Sequence, residues 1–279
     1  MTSPSRYDLT TLANVQAWLN LTSTTDNALI ARLITNASRM IYAFLGRPML
    51  ASQSWTDALD GAGTGRFMLP RWPVTSVAAL TIDGRSIPQL TLPLGPPPST
   101  RGFALDLWDG TPPGKPQAIS LYGVEASNGR LNLSVTYQAG YLIAGEAQSV
   151  PASSPYQITA NAPYGNWCMD AGVSYASGAA LTPVAASPAQ GQYCVAAGVY
   201  GFAAADAGAG VLISYSYIPA EIENAAIEMV AERYRYRARI GENSHSLGGQ
   251  ETVAFSLKDM PDYLRLSLQP YRKVMGATG

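Results

Sequence analysis

The sequence predicts an α+β fold rich in strand, and three observations carry that reading. Two stretches of helical period open the chain, a long middle alternates apolar and polar residues with a period of two, and one acidic-to-basic helix follows near the end. Composition agrees: charged residues make up only 13% of 279, whereas Gly (26), Pro (20) and Tyr (16) are plentiful. That profile suits strands, turns and subunit contacts more than a helical bundle.

The first helix is expected from about Thr10 to Leu19, with Leu12, Val15, Trp18 and Leu19 on one side. The second starts at Asp26, a good N-cap, and ends at Gly46, a good residue for the left-handed position beyond a helix. Its Leu29, Ile30, Leu33, Ile34, Ala37, Met40, Ile41 and Phe44 form one apolar stripe. The period then changes to two through Trp55, Leu59, Phe67, Leu69, Val77 and Ile82, through Phe103, Leu105 and Leu107, and through Leu131, Leu133, Val135 and Tyr137. Asp60-Gly61 and Asp83-Gly84 mark turns, and Pro93 to Pro98 reads as an extended connection.

From Gly145 to Ala209 charge nearly vanishes and Ala, Gly and Ser dominate, with strand-like runs at Tyr156–Ile158, Val173–Tyr175, Tyr193–Val195 and Val199–Phe202. A closing strand of Val211, Ile213, Tyr215 and Tyr217 leads directly into Pro219. The expected organisation is therefore a core of residues 1–141 and 218–279 carrying an inserted β module at 142–217. The helix from Pro219 to Ile240 has Glu221, Glu223 and Glu228 toward its positive end, Arg233, Arg235, Arg237 and Arg239 toward its negative end, and Gly241 to stop it. Behind it, a strand-like run from Glu251 to Ser256 and an apolar run of Leu264, Leu266, Leu268, Tyr271 and Val274 form a tail too polar for a core of its own. Such an arm is expected to dock on something else.

Charge excludes several classes. With 18 basic and 19 acidic residues, the formal net charge of −1 gives no overall field toward nucleic acid or anionic lipid. No signal-peptide pattern opens the chain and no uninterrupted apolar span approaches 18 residues, so a soluble protein outside the signal-peptide route and without a membrane partner is expected. Cys168 and Cys194 are too few for a disulfide framework and are expected as free buried thiols.

The chemistry of catalysis is sparse. His245, the sole histidine, has no nucleophile pointing to it, and no cofactor or metal set is present. Asp57, Asp60, Asp106 and Asp109 could form a hydrolytic pair, but turn and strand-edge roles explain them more simply. Gly61 to Gly65 lacks the Lys-Ser/Thr ending of a phosphate loop and reads as a flexible hairpin loop. The Arg/Tyr run does not make one cationic stripe. Residues two apart differ by about 200° around a helix, so Arg233 and Arg237 share a face while Arg235 and Arg239 share nearly the opposite one. Contacts to neighbouring subunits, or ion pairs such as Glu232 with Arg235, explain it better than direct DNA binding.

Several motifs together resemble the head-tail connector, or adaptor, proteins of tailed bacteriophages. They are Asp8 to Leu19, Asp26 to Pro48, Leu69 to Val77 with Ile82 to Gly84, Val135 to Tyr141, Ile218 to Ile222 with the Tyr/Arg helix, and Glu251 to Ser256 with Pro270 to Lys273. They fall in the family's order, and the segment from about Leu142 to Tyr217 is the departure from its pattern. The resemblance implies a non-enzymatic virion protein of the neck, assembled in the host cytoplasm. It further implies a homo-oligomeric ring, typically of twelve subunits, beneath the portal protein, with a downstream stopper or tail-terminator protein as neighbour. Double-stranded DNA would pass through the lumen without sequence-specific binding.

On this reading the portal and subunit interface comprises Arg233, Tyr234, Arg235, Tyr236, Arg237, Arg239, Val253, Phe255, Tyr271, Arg272 and Lys273, and residues 250–275 order on contact. Two other readings remain open. A carbohydrate- or receptor-binding virion protein would present exposed aromatics on the β insertion, and a hydrolase would use Asp106 or Asp109.

Overall fold

Apolar spacing sets the helical elements, and the computed structural model shows where each stripe goes. It describes residues 7–91, 101–106, 117–237 and 260–273, and the backbone alone at 244–247 and 251–254. The chain divides into two compact units: Met1–Pro48 with Pro219–Arg272, and Met49–Ile218 with Lys273–Gly279.

In the first unit, α1 (Leu12–Leu19) is capped by the Thr11 hydroxyl, which accepts from the Asn14 N–H. Of its expected apolar side only Val15 is fully buried, and Trp18 is 53% exposed. α2 (Asn27–Leu45) buries Ile30, Ile34, Ala37, Ser38, Ile41 and Leu45, the i, i+4, i+7 core of its stripe. It ends at Gly46 with φ 63°, as its position requires. α3 (Ala220–Tyr236) starts behind Pro219 and buries Ile222, Ala225, Ala226, Ile227, Met229, Val230 and Ala231, so alanines let it lie close against α1 and α2. Its described end is Tyr236, with Arg237 as cap, so the expected run to Ile240 and Arg239 lies outside the described residues.

The tail departs from the expected arm. α4 (Asp262–Leu268) packs back on α3, with Met260, Leu264 and Leu268 buried and Leu266 70% exposed. The Arg265 and Arg272 guanidinium groups lie 6.0 and 5.3 Å from the Phe44 ring centre, and Arg47 Nη1 donates to the Tyr271 carbonyl at 3.4 Å. An i, i+4 leucine pair makes a one-sided helix, and the half-buried flank of α2 at Phe44 receives its arginines.

In the second unit, β1 (Gln53–Gly61), β3 (Val74–Ile82), β4 (Arg85–Ile87) and β7 (Gly129–Ala139) form a sheet in the order β1-β7-β3-β4. β2 (Arg66–Met68), β5 (Gly102–Leu105) and β6 (Ala118–Tyr122) form a second, in the order β2-β6-β5. Leu69, Val77, Leu80, Phe103, Ile119, Leu133, Val135 and Tyr137 belong to one buried core. Asp83-Gly84 makes the expected two-residue hairpin, with φ of 50° and 74° and Ile82 opposite Arg85.

Asp60-Gly61, by contrast, ends β1 without turning it back: β1 pairs with β7, β2 pairs with β6, and Gly61 to Gly65 joins two sheets and is no hairpin loop. Leu131 is also misread by its period, being 65% exposed with φ 52°. Pro93 to Pro98, Leu107 and Asp109 lie outside the described residues.

The remainder of this unit has a core of its own, including Ile158, Val173, Tyr193, Tyr200, Val211, Ile213 and Tyr215. β8 (Leu142–Ser149), β10 (Gly165–Tyr175) and β14 (Gly210–Pro219) make a sheet in the order β10-β14-β8. β9 (Gln157–Thr159), β11 (Thr182–Pro183), β12 (Gln192–Ala196) and β13 (Val199–Phe202) make another, in the order β11-β12-β13-β9. In the first unit, β15 (Ser244–Leu247) and β16 (Glu251–Ala254) pair antiparallel, His245 opposite Val253.

Candidate functional site

The Arg/Tyr end of α3 builds its first contact inward. Tyr234 and Arg237, three apart and so on one face, both reach Asp26 beside the start of α2, at 2.5 Å from the phenol and 2.8 Å from the guanidinium. Arg237 also lies over the Tyr234 ring, 4.2 Å from its centre. Asp26 was expected to cap α2, but its side chain makes no cap hydrogen bond and accepts these two donors instead. Arg235 is exposed, while Arg233 and Tyr236 are half-buried. At the other end of α3, Glu223 accepts from Thr10 Oγ1 at 3.1 Å and Asn14 Nδ2 at 2.6 Å, tying α1 to it.

The hydrogen bonds from Arg237 and then Tyr234 hold the Asp26 carboxyl down to about 2. A depressed carboxyl contributes stability present above its ordinary value near about 4 and lost as pH falls through its folded value. The helical unit is therefore expected to loosen between about pH 4 and pH 2, and Asp26→Ala to remove that component of the acid transition. Circular dichroism at 222 nm against pH checks it; an unchanged profile for the variant would contradict the clasp.

Of the expected interface set, Tyr234 and Arg237 serve this clasp, and Tyr271 and Arg272 lie with α4 against Arg47 and Phe44. Lys273 is half-buried. The Val253 side chain, Phe255 and Arg239 lie outside the described residues, as does the His245 side chain.

Of the four acids considered for catalysis, the three within the described residues, Asp57, Asp60 and Asp106, are occupied by structure. Asp57 takes the Arg71 guanidinium and the Tyr137 hydroxyl, the latter at 2.6 Å, and Arg71 stacks over Trp55 at 4.0 Å. Asp106 accepts from Arg66 Nε and Ser120 Oγ, each at 2.7 Å, and Asp60 from the Leu131 N–H at 2.7 Å. No group of three or more His, Cys, Asp and Glu among the described residues is placed to hold a metal. Cys168 and Cys194 are free and half-buried, and burial pushes the Cys168 thiol up to about 12, keeping it protonated.

The same pairing of phenol with carboxylate recurs in the β segments. Asp170 accepts from Tyr193 at 2.5 Å and Tyr200 at 3.1 Å, Asp206 from Tyr175 at 2.6 Å, and Glu146 from Tyr215. Burial first, then the partner carboxylate, pushes Tyr193 and Tyr215 upward, and burial is also the largest cause for Tyr200. The aromatics expected to stand out on this module are thus largely interior: Tyr193, Tyr200, Tyr215 and Tyr217 are each at most 1% exposed, and Tyr164 reaches 37%. Sequence reasoning missed these acceptors because each pair joins residues far apart in the chain.

Where β7 passes into β8, Trp72, Tyr141 and Tyr217 stack edge-to-face, with ring centres 6.2 and 5.6 Å apart. Beside them lies a cavity of about 430 Å3 lined by Pro73, Thr75, Gly140, Ile143, Glu146, Asn161, Pro163, Tyr164 and Tyr217.

Fold and side-chain chemistry together define an α+β protein whose ionisable groups mostly brace its own elements. Residues 8–92, spanning α1, α2 and β1 to β4, match the family described as head completion protein. Over that stretch the chain is similar to head completion proteins, and the resemblance to head-tail connectors is borne out there. Among solved structures it is similar to a chain of the "Neck of empty GTA particle computed with C6 symmetry", at 10% identity and a TM-score of 0.33, covering 100% of this chain and 96% of that one. No curated protein matches. No described helix is long and apolar enough to cross a membrane.

Proposed function

We propose that this chain is a structural virion protein of the head–neck region and, more finely, a head-tail adaptor. It forms a ring beneath the portal, extends the DNA channel and offers the attachment surface for the next neck or tail protein. The match of residues 8–92 to head completion proteins carries the reading. The ordered connector motifs downstream of that stretch, from Val135 to Tyr141 and at Ile218 to Ile222, support extending it to the whole chain. Residues 142–217 are read as an addition to the adaptor core, which their separate set of buried side chains supports. The near-neutral charge of −1 suits a conduit, because a strongly cationic lumen would hold DNA through counterion release.

Ring subunits need two different, complementary faces, and we assign portal contact to the segment holding Val253 and Phe255. Truncating the whole tail would also strip α4 from the helical unit, so point substitutions are the cleaner probe. Val253→Asp with Phe255→Asp is expected to abolish co-sedimentation with the portal while leaving the melting curve unchanged. Imaging of purified particles is expected to place the protein between portal and tail, and particles lacking it to remain tailless. Normal tail joining without it, or a position elsewhere in the particle, would overturn the assignment.

A further inference from the structure

The cavity beside Tyr217 contains the Glu146 carboxylate, whose charge no cation among the described residues balances. Glu146 Oε1 accepts from Gln148 Nε2 at 2.9 Å and the Asn161 N–H at 3.2 Å, and Oε2 accepts from the Tyr215 hydroxyl. Three donors fix its position, while no cation among the described residues pairs with it. A carboxylate offers about four acceptor sites, so one remains. The surrounding walls are apolar: Pro73, Ile143, Pro163 and the rings of Tyr164 and Tyr217, which lie 5.9 Å apart. An anchored anion at the end of an aromatic and aliphatic trough is complementary to a cation on an apolar stem, as in an arginine or lysine side chain.

The volume, about 430 Å3, exceeds what one such side chain fills and accommodates its flanking residues as well. The occupant is therefore read as a protein segment. The β1-β7-β3-β4 sheet, one end of which borders the cavity, supplies one. Val74 and Ala139 pair beside the cavity, whereas β3 ends eight residues on at Ile82, opposite Leu133. That far end, about 27 Å away, carries exposed Arg85 and Arg130. Asp83, which accepts from Ser127 and Asn132, is the acid nearest Arg85, and Asp60 accepts from the Leu131 N–H, so Arg130 is the tip's foremost cation.

We infer that the Glu146 cavity receives Arg130, flanked by Arg85, from the sheet tip of a second copy of this chain, a head-to-tail contact between the cavity of one copy and the far end of the β1-β7-β3-β4 sheet of the next. The site itself stands on geometry alone. Its occupant rests on the ring reading given above.

The test uses the full chain and N-acetyl-arginine methylamide as probe. Saturable shifts of the Ile143 methyl resonances and Tyr164 ring resonances are expected. They should be absent with the neutral N-acetyl-norleucine methylamide and lost in Glu146→Gln, whose amide oxygen keeps an acceptor for the Tyr215 hydroxyl. Equal binding of the norleucine probe, or none of the arginine probe, overturns the site. For the occupant, sedimentation equilibrium is expected to show self-association weakened about tenfold or more by Glu146→Gln or Arg130→Gln, with recovery in the exchanged pair Glu146→Arg and Arg130→Glu. Probe binding without any effect of Arg130→Gln, or no self-association at any concentration, overturns the second-copy assignment and leaves the neck location to be judged by imaging.

Discussion

Gly140→Ala is expected to destabilise the second unit by about 3 kcal/mol or more, because the added methyl has nowhere to go. A Cβ at Gly140 would stand 2.5 Å from the carbonyl carbon and oxygen of Ala51 and from Ser52 Cα, all backbone, at a φ of 138° that side chains avoid. Nothing flexible lies in the way to yield. The crossing there is held by the Gly140 N–H to the Pro73 carbonyl and the Tyr141 N–H to the Leu50 carbonyl, both 2.9 Å. A melting temperature lower by roughly 10 °C is the expected readout. Gly145→Ala is the control: its φ of 68° is also left-handed, but open space surrounds it, so only about 1 kcal/mol is expected. Equal losses at the two sites would show that backbone preference, and not the close approach, governs the motif.

The second large effect is expected at Asp170. It takes the hydroxyls of Tyr193 and Tyr200, which are 1% and 0% exposed, and Tyr200 in turn accepts from Trp167 Nε1 at 3.1 Å. Asp170→Ala strands two buried phenols at once, a loss of roughly 3 kcal/mol, whereas Asp170→Asn keeps one acceptor oxygen and costs less. Urea midpoints for the two variants check the order.

The alkaline side follows from the same group. A phenol whose folded value is raised contributes stability that is complete below its unfolded value near about 10 and is lost as pH rises through the folded one. Absorbance at 295 nm is therefore expected to show a separate late rise for the interior Tyr193, Tyr200 and Tyr215, together with unfolding above the ordinary phenol range. A single smooth titration would contradict the interior pairing.

Local chemistry made part of this structure legible. The Asp83-Gly84 hairpin and the Gly46 helix stop need only their own residues to adopt their conformations, so sequence shows them directly. Apolar period was less dependable at the margins. Trp18 and Leu131 sit at the right spacing but on elements whose ends carry them into solvent, and β6 and β8 were unread because Ser120, Gly145 and Glu146 interrupt any clean alternation.

Long-range polar pairing left no local signal. Tyr137 and Asp57 are 80 residues apart and Tyr234 and Asp26 are 208 apart, so the abundance of tyrosine hinted at a role without naming a partner. The candidate interface suffered similarly: an arginine within reach of a distant aspartate looks, in sequence, the same as one facing a neighbour.

Met1–Pro48 and Pro219–Arg272 belong to the same helical unit, while the β unit leaves that unit as one excursion from Met49 to Ile218. Tension applied through residues near the two ends therefore loads helix packing first and leaves the strand ladders slack until that packing yields. In a single-molecule pulling experiment the helical unit should open as the first and weaker step, with the β unit extending only afterwards.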